Sequence, residues 1–143
     1  MAKTYQLVPT KRLGNAVVKA LLATPLAPPN YALLTVIGRK SGKLYSTPIR
    51  PIKHGGQRYL VAPYGDVAWL RNARAAGEVT LTRNRHRETV AVVECTPEQS
   101  APVLRAYVHD VPITRPYFDA GPDDQLDRFT AEAAQHPVLR IVD

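Results

Sequence analysis

The chain has a single cysteine, Cys95, which excludes an internal disulfide and any metal centre built from several thiolates. Its four histidines, His54, His86, His109 and His136, stand at no metal-ligand spacing from one another, so no metal site is expected. Met1 to Gln6 have no signal-peptide layout, and every apolar stretch is cut by charge or proline well short of a membrane span. A soluble protein of the reducing cytoplasm is therefore expected. Internal repeats, low-complexity tracts and long linkers are missing as well. No nucleophile–base pair stands out: Ser41 has no visible partner, and His109 beside Asp110 is mere adjacency. Acyl transfer, phosphoryl transfer and glycoside hydrolysis thus have no support. Acidic residues are the scarcer charge, 12 against 19 Lys plus Arg, which leaves +7. That excess suits an anionic partner such as a phosphorylated cofactor, nucleic acid or an anionic membrane, and equally an ordinary solubility charge. The seven tyrosines are spread along the chain and form no stacking platform, so nucleic acid is not expected.

What is present reads as one domain over 1–143, with a helix and linker in 1–29 and a sheet-rich body in 30–143. Leu13, Ala16, Val17, Ala20 and Leu21 follow the helical period over 9–23, with Lys11, Arg12 and Lys19 outside that stripe. Prolines 25, 28 and 29 end that helix. Strands are expected over 31–37, 45–53, 58–62, 78–83, 87–94 and 138–142. Pro48 and Pro51 place the second at an edge. His54-Gly55-Gly56 and Asn84-Arg85-His86 read as hairpin turns. A helix over 67–76 would be capped by Asp66 and stopped by Gly77. Thr96, Pro97 and Gln99 form a capping box for another helix, although Pro102 argues for a start nearer Ser100. A last helix, about 122–135, should bury Leu126, Phe129 and Ala133. About six short strands joined by tight hairpins predict an α+β, mainly β architecture, an antiparallel sheet closed into a small barrel.

The turn Gly38-Arg39-Lys40-Ser41-Gly42 is the most informative feature. Its glycines let the backbone approach a ligand, and Arg39, Lys40 and Lys43 surround the amides with positive charge, as in an anion nest. A P-loop is excluded, because only three residues separate the glycines, Leu44 follows Lys43, and a strand follows where a helix is needed. Taken alone, the turn is as readily a solvated basic hairpin. Downstream, the segment Ala62-Pro63-Tyr64-Gly65-Asp66 leads into a helix bearing Trp69 and Asn72 on one face. Trp69 reads as a core residue, and Asn72 as either a loop-binding or a ligand-binding residue. The proline-rich stretch from Val111 to Phe118 reads as a long loop, whose Tyr117 and Phe118 either cover a flat ring or anchor the loop.

Gly-Arg-Lys-Ser-Gly after an apolar strand, Thr47-Pro48, Gly56, Tyr59, Trp69, Asn72 and Val79-Thr80-Leu81 together resemble the deazaflavin (F420)-dependent nitroreductase and quinone reductase family. The resemblance runs from about Tyr31 to Glu94 and thins over the last third, where His136-Pro137-Val138 looks like the closing strand. It implies a split β-barrel that binds coenzyme F420. Arg39, Lys40 and Ser41, between Gly38 and Gly42, would hold the phosphate and acidic tail. Thr47, Pro48, Ala62, Pro63, Tyr64, Gly65, Trp69 and Asn72 would contact the rest. The implied chemistry is hydride transfer from the reduced ring to a quinone, enone or nitroaromatic, which explains the missing triad. Tyr64 and Tyr117 are the candidate proton donors. This chain departs from the family pattern in three places: the short loop Ala62–Asp66 lacks a serine, Tyr45 stands where arginine is common, and Arg50 stands where tyrosine is common. Two other readings remain open, an FMN-binding oxidoreductase of the same barrel type and a non-catalytic lipid- or fatty-acid-binding member. In the latter, the basic amphipathic helix 9–23 would touch the inner face of the membrane. Either a monomer or a homodimer fits.

Overall fold

The nearly all-apolar run Ala32–Ile37 makes β1, with Ala32, Leu34 and Val36 turned inward. The computed structural model describes residues 30–142, so the helix expected at 9–23 lies outside the described residues. The other strands are β2 (Leu44–Ile49), β3 (Ile52–His54), β4 (Gln57–Val61), β5 (Glu78–Arg83), β6 (His86–Glu94) and β7 (Val138–Val142). All pair antiparallel in one sheet of order β2-β1-β5-β6-β7-β4-β3. The helices are α1 (Ala68–Ala76), α2 (Pro97–Asp110) and α3 (Leu126–Glu132), with 3₁₀ turns at Pro112–Tyr117 and Ala133–Gln135.

The single strand expected at 45–53 is two. Pro51 cannot donate to a ladder, and the chain breaks at Arg50-Pro51. The halves, β2 and β3, then occupy opposite edges of the seven-stranded sheet. Three Cα–Cα steps from Ile49 to Ile52 span at most about 11 Å. The two edges therefore come close together, and the sheet curls into a half-barrel. Pro48 sits on the edge strand β2, which pairs only with β1, so its missing donor costs nothing.

Both tight hairpins use left-handed residues: Gly55 and Gly56 (φ 59° and 78°) join β3 to β4, and Asn84 and Arg85 (φ 47° and 67°) join β5 to β6. The second turn is Asn84-Arg85 alone, since His86 already pairs with Arg83. Successive residues of β4 and β7 serve opposite faces. Leu60 and Leu139 join Leu34, Leu70 and Val79 in one core under α1. Val61 and Val138 join Val103, Leu104, Val108 and Phe129 in a second core under α2 and α3.

Gly77 ends α1 in the left-handed conformation (φ 75°), as expected, but the helix starts one residue later than Asp66 could cap. Asp66 instead pairs with Arg71 at 3.0 Å and Arg74 at 3.7 Å. The Thr96–Gln99 capping box is formed, so α2 begins at Pro97 and not near Ser100. Pro102 is carried inside it, where the missing amide leaves one carbonyl of the first turn free. The supposed loop at 111–118 is mostly 3₁₀. Arg115 ties it down by donating to the carbonyls of Val108 (2.9 Å) and His109 (3.1 Å), orphan acceptors at the end of α2. The last helix is shorter than 122–135, because Gly121 to Asp124 form a turn in which the Gly121 amide donates to the Asp124 carboxylate at 2.7 Å. Phe129 and Ala133 are buried, whereas Leu126, at the helix start, is 38 % exposed.

Candidate functional site

The turn after β1 is closed by the Gly38 amide donating to the Lys43 carbonyl (2.7 Å) and the Gly42 amide to the Gly38 carbonyl (3.0 Å). Gly42 has φ +72°, which favours glycine, and a Cβ on Gly38 would meet the Tyr45 ring at 2.5 Å and push it aside. The Ser41 hydroxyl accepts from the Lys43 amide (3.2 Å) and bonds the Tyr45 hydroxyl (3.0 Å). The amides of Lys40 and Ser41 have no acceptor among the described residues, and neither do the ammonium groups of Lys40 and Lys43.

Asn72 explains how the turn is aimed. It is 5 % exposed on α1, and its side-chain oxygen accepts both the Arg39 amide (3.1 Å) and the Arg39 guanidinium (2.8 Å). Two donors on one atom assign that atom as oxygen, which leaves the Asn72 NH₂ group without a partner among the described residues. No fully buried side-chain polar atom lacks a partner, so this NH₂ opens to the space beside the turn. Of the two sequence readings of Asn72, loop-binding is realised by its oxygen, while its donors are still available. Arg39 is thereby spent as a clamp, and Lys40 and Lys43 are the cations without a partner among the described residues.

Beside the turn lies a cleft of about 940 Å³, walled by β2, the start of α1 and the end of α2. Gly38, Arg39, Lys40, Ser41, Thr47, Pro48, Pro63, Tyr64, Trp69 and Asn72 all border it. Gly42, Ala62, Gly65 and Tyr117 do not. Ala62 is fully buried, with its amide on the Pro137 carbonyl at 2.9 Å. Gly65 (φ +95°) shapes the loop without reaching the cleft wall. Trp69 is half-buried at the cleft wall and only partly in the core it was assigned to. Tyr64 and Tyr117 meet edge to face, with centroids 4.8 Å apart. Phe118 anchors the 3₁₀ segment: it is buried and stacked on His136 at 3.8 Å.

No sequence signal marks the groups that hold the loop at Pro63. The His136 Nδ1 donates to the Pro63 carbonyl at 2.7 Å, and its Nε2 lies 2.8 Å from the Glu132 carboxylate. A carbonyl can only accept, so Nδ1 is protonated, and a further proton lies between Nε2 and the carboxylate. Glu132 also accepts the amides of Asp119 (3.1 Å) and Ala120 (2.7 Å). Glu132 and His136 share a helical spacing of four, but nothing in the sequence says which loop they face.

Tyr107 is the second omission. It falls on the apolar stripe of α2, is 4 % exposed, and borders the cleft together with Val111 and Thr114. Burial pushes its phenol well above the ordinary range, helped by Tyr64 and Tyr31 nearby and opposed by Arg50. Helical periodicity cannot separate such a tyrosine from a core residue.

Cationic side chains border this cleft and no carboxylate does, among the described residues. Free amides, unpaired lysines, an unpaired carboxamide NH₂ and aromatic walls suit a phosphate-bearing ligand with a flat ring, so the residues present fit the deazaflavin coenzyme.

The model of the family described as F420H(2)-dependent quinone reductase matches residues 10–118. Among curated proteins none matches the chain at the level of sequence. Solved structures share its fold. One, described as a domain-swapped dimer, is 19 % identical with a TM-score of 0.60, covering 94 % of this chain and 100 % of its own. The F420-H2 dependent reductase FDR-A is 18 % identical at a TM-score of 0.56, covering 80 % and 95 %. A NimC/NimA family protein from Clostridium acetobutylicum is 15 % identical at 0.55, covering 93 % and 87 %. With a family model spanning most of its length, the chain belongs to the F420H(2)-dependent quinone reductases and is an oxidoreductase whose cofactor is F420.

Proposed function

We propose that the chain binds the coenzyme with its phosphate and acidic tail on the Gly38–Lys43 turn and reduces a quinone, enone or nitroaromatic in the aromatic part of the cleft. The observation that carries this reading is the clamp between Arg39 and Asn72, which holds the amides of Lys40 and Ser41 and the Lys40 ammonium, none with a partner among the described residues, at one end of a cleft. When bound, the reduced coenzyme supplies a hydride. The chain's own residues bind, orient and shield. Lys40, Lys43 and the amides of Lys40 and Ser41 neutralise the phosphate. The NH₂ of Asn72 meets a ligand acceptor atom. Trp69 and Tyr64 wall the ring and limit water, and the Pro63 carbonyl is held still by His136. The reduction takes one proton besides the hydride, and a tyrosine hydroxyl supplies it. Tyr64 borders the cleft and Tyr117 supports it from behind, so Tyr64 is the better placed of the two expected donors.

The test is titration of the purified protein with oxidised and reduced deazaflavin coenzyme and with flavin mononucleotide, followed by ligand fluorescence. Micromolar binding of the deazaflavin, lost on replacing Lys40 and Lys43 by alanine, is expected. Absence of that binding sinks the reading. We also propose a homodimer. A similar chain is described as a domain-swapped dimer, and the exposed edge residues Leu44 (73 %) and Tyr45 (49 %) give a second copy something to cover. Light scattering decides this. No helix among the described residues is long and apolar enough to cross a membrane.

A further inference from the structure

Arg50 stands in the two-residue link between β2 and β3. It borders the main cleft and also a second hollow of about 850 Å³ shared with Lys53, Arg58 and Asp110. It is half-buried, yet its guanidinium makes no hydrogen bond or ion pair with any described residue. Its neighbours are otherwise matched: Arg58 forms a two-pronged pair with Glu88 (2.7 and 3.2 Å), and Arg83 donates to the Tyr31 carbonyl at 2.7 Å. The phosphate turn cannot be its partner. The strand β2 lies between them, and an extended run of that length spans roughly 20 Å.

Tyr107 faces the same end of the cleft. It is 4 % exposed and its hydroxyl has no partner among the described residues, yet no fully buried polar atom is left unsatisfied. The hydroxyl therefore opens into the cleft. A neutral phenol can donate one hydrogen bond, and a guanidinium can donate several in a planar fork. Both are donors held out of bulk water in a space bordered by no carboxylate among the described residues.

We propose that Arg50 and Tyr107 together hold an acceptor oxygen bearing negative charge, so that this enzyme prefers acceptors with an acidic oxygen beside the reducible carbonyl, such as a hydroxyquinone. This rests on the reading of the cleft given above. The hydride brings two electrons to the acceptor. The carbonyl π bond opens as the new bond to hydrogen forms, and the carbonyl oxygen takes the charge. Arg50 and Tyr107, which hold the acidic oxygen, also reach the carbonyl oxygen beside it and stabilise the charge that develops there. One proton from water, passed through the Tyr64 hydroxyl proposed above as the donor, completes the reduction and leaves the coenzyme oxidised.

The experiment is calorimetric titration of the protein, with and without oxidised coenzyme, using 2-hydroxy-1,4-naphthoquinone, which is anionic at neutral pH, and neutral 1,4-naphthoquinone. Wild type should bind the anionic quinone at least tenfold more tightly. Arg50→Gln should reduce that preference below about threefold, and Arg50→Lys should restore part of it. Tyr107→Phe should weaken both quinones several-fold and, in turnover, lower kcat more than it raises KM, whereas Arg50→Gln should act mainly on KM. Coenzyme affinity, read from its own fluorescence, should stay within twofold in both variants. Equal binding of the two quinones by wild type, no binding of either, or an Arg50→Gln effect confined to the coenzyme overturns the proposal. Failure of the coenzyme to bind at all overturns the cofactor-site reading instead, and is seen separately in the fluorescence arm.

Discussion

Replacing Asn72 by leucine keeps the volume of a buried residue on α1 but removes the single oxygen that receives two donors from Arg39. The backbone bond is worth about 1 kcal/mol and the guanidinium bond about 1.5–3 kcal/mol at full burial. Arg39 is exposed, so water takes over much of both, and a net loss of about 1–2 kcal/mol is the reasonable expectation. The lost NH₂ donor also removes a ligand contact from the cleft. Coenzyme affinity should therefore fall by about tenfold or more, since every 1.4 kcal/mol is tenfold. Affinity is read by coenzyme fluorescence and stability by urea unfolding on the same preparation. Asn72→Asp keeps the oxygen acceptors and should preserve the turn. It should nevertheless weaken an anionic ligand, because it adds a negative charge beside the nest. An Asn72→Leu protein that loses stability but binds the coenzyme with unchanged affinity would refute the reasoning, for the clamp would then serve the fold alone.

Glu132→Gln puts an NH₂ where a buried carboxylate accepts two amides and faces His136, so one donor must lose its partner. A loss of about 2–4 kcal/mol is expected, on the order of 10 °C in melting temperature by calorimetry. Gly38→Ala pushes the Tyr45 ring away and breaks the Ser41–Tyr45 bond. It should cost roughly 1 kcal/mol in stability while weakening coenzyme binding several-fold in the fluorescence titration. Tyr107 ionises in the unfolded chain near pH 10 but well above that in the folded one, so its contribution is intact below about pH 10 and is lost as pH rises further. Alkaline unfolding curves should accordingly be shallower for Tyr107→Phe. Burial raises the Cys95 thiol, so its reaction with a disulfide reagent at pH 8 should be slower than that of a free thiol, and unfolding should accelerate it.

The basic glycine turn was legible because its signals are local. Glycines at fixed spacing, adjacent cations and a following strand are all contained in residues 38–49, and the hairpins and the capping box at Thr96 are equally short-range. The errors came from long-range constraints. Nothing near Pro51 says that β2 and β3 separate to opposite edges of a curled sheet, because that depends on β4 pairing with β7 about eighty residues away. Asp66 looked like a cap until the helix was seen to start one residue later, where two arginines compete for the carboxylate. Leu126 matched a helical period but stands before the first turn that packs.

The same division separates the two ends of the site chemically. The turn end is made of backbone amides, whose aim depends on the spacing of Gly38 and Gly42. The other end is bordered by residues that converge from three places: Arg50 from the break in the sheet, Pro63 and Tyr64 from a loop, and Tyr107 from a helix, with His136 bonded to the Pro63 carbonyl behind them. Each can change without disturbing the turn, so coenzyme binding and acceptor choice are separable in this architecture. Arg50 is the case in point. In a strand running straight through 45–53 its side chain would be one of an alternating series. In the break between two sheet edges it is released from the ladder and stands over the cleft with its charge uncompensated. On the proposal above, a single substitution at that position alters which acceptor oxygen is held, while the turn roughly 20 Å away is left as it is.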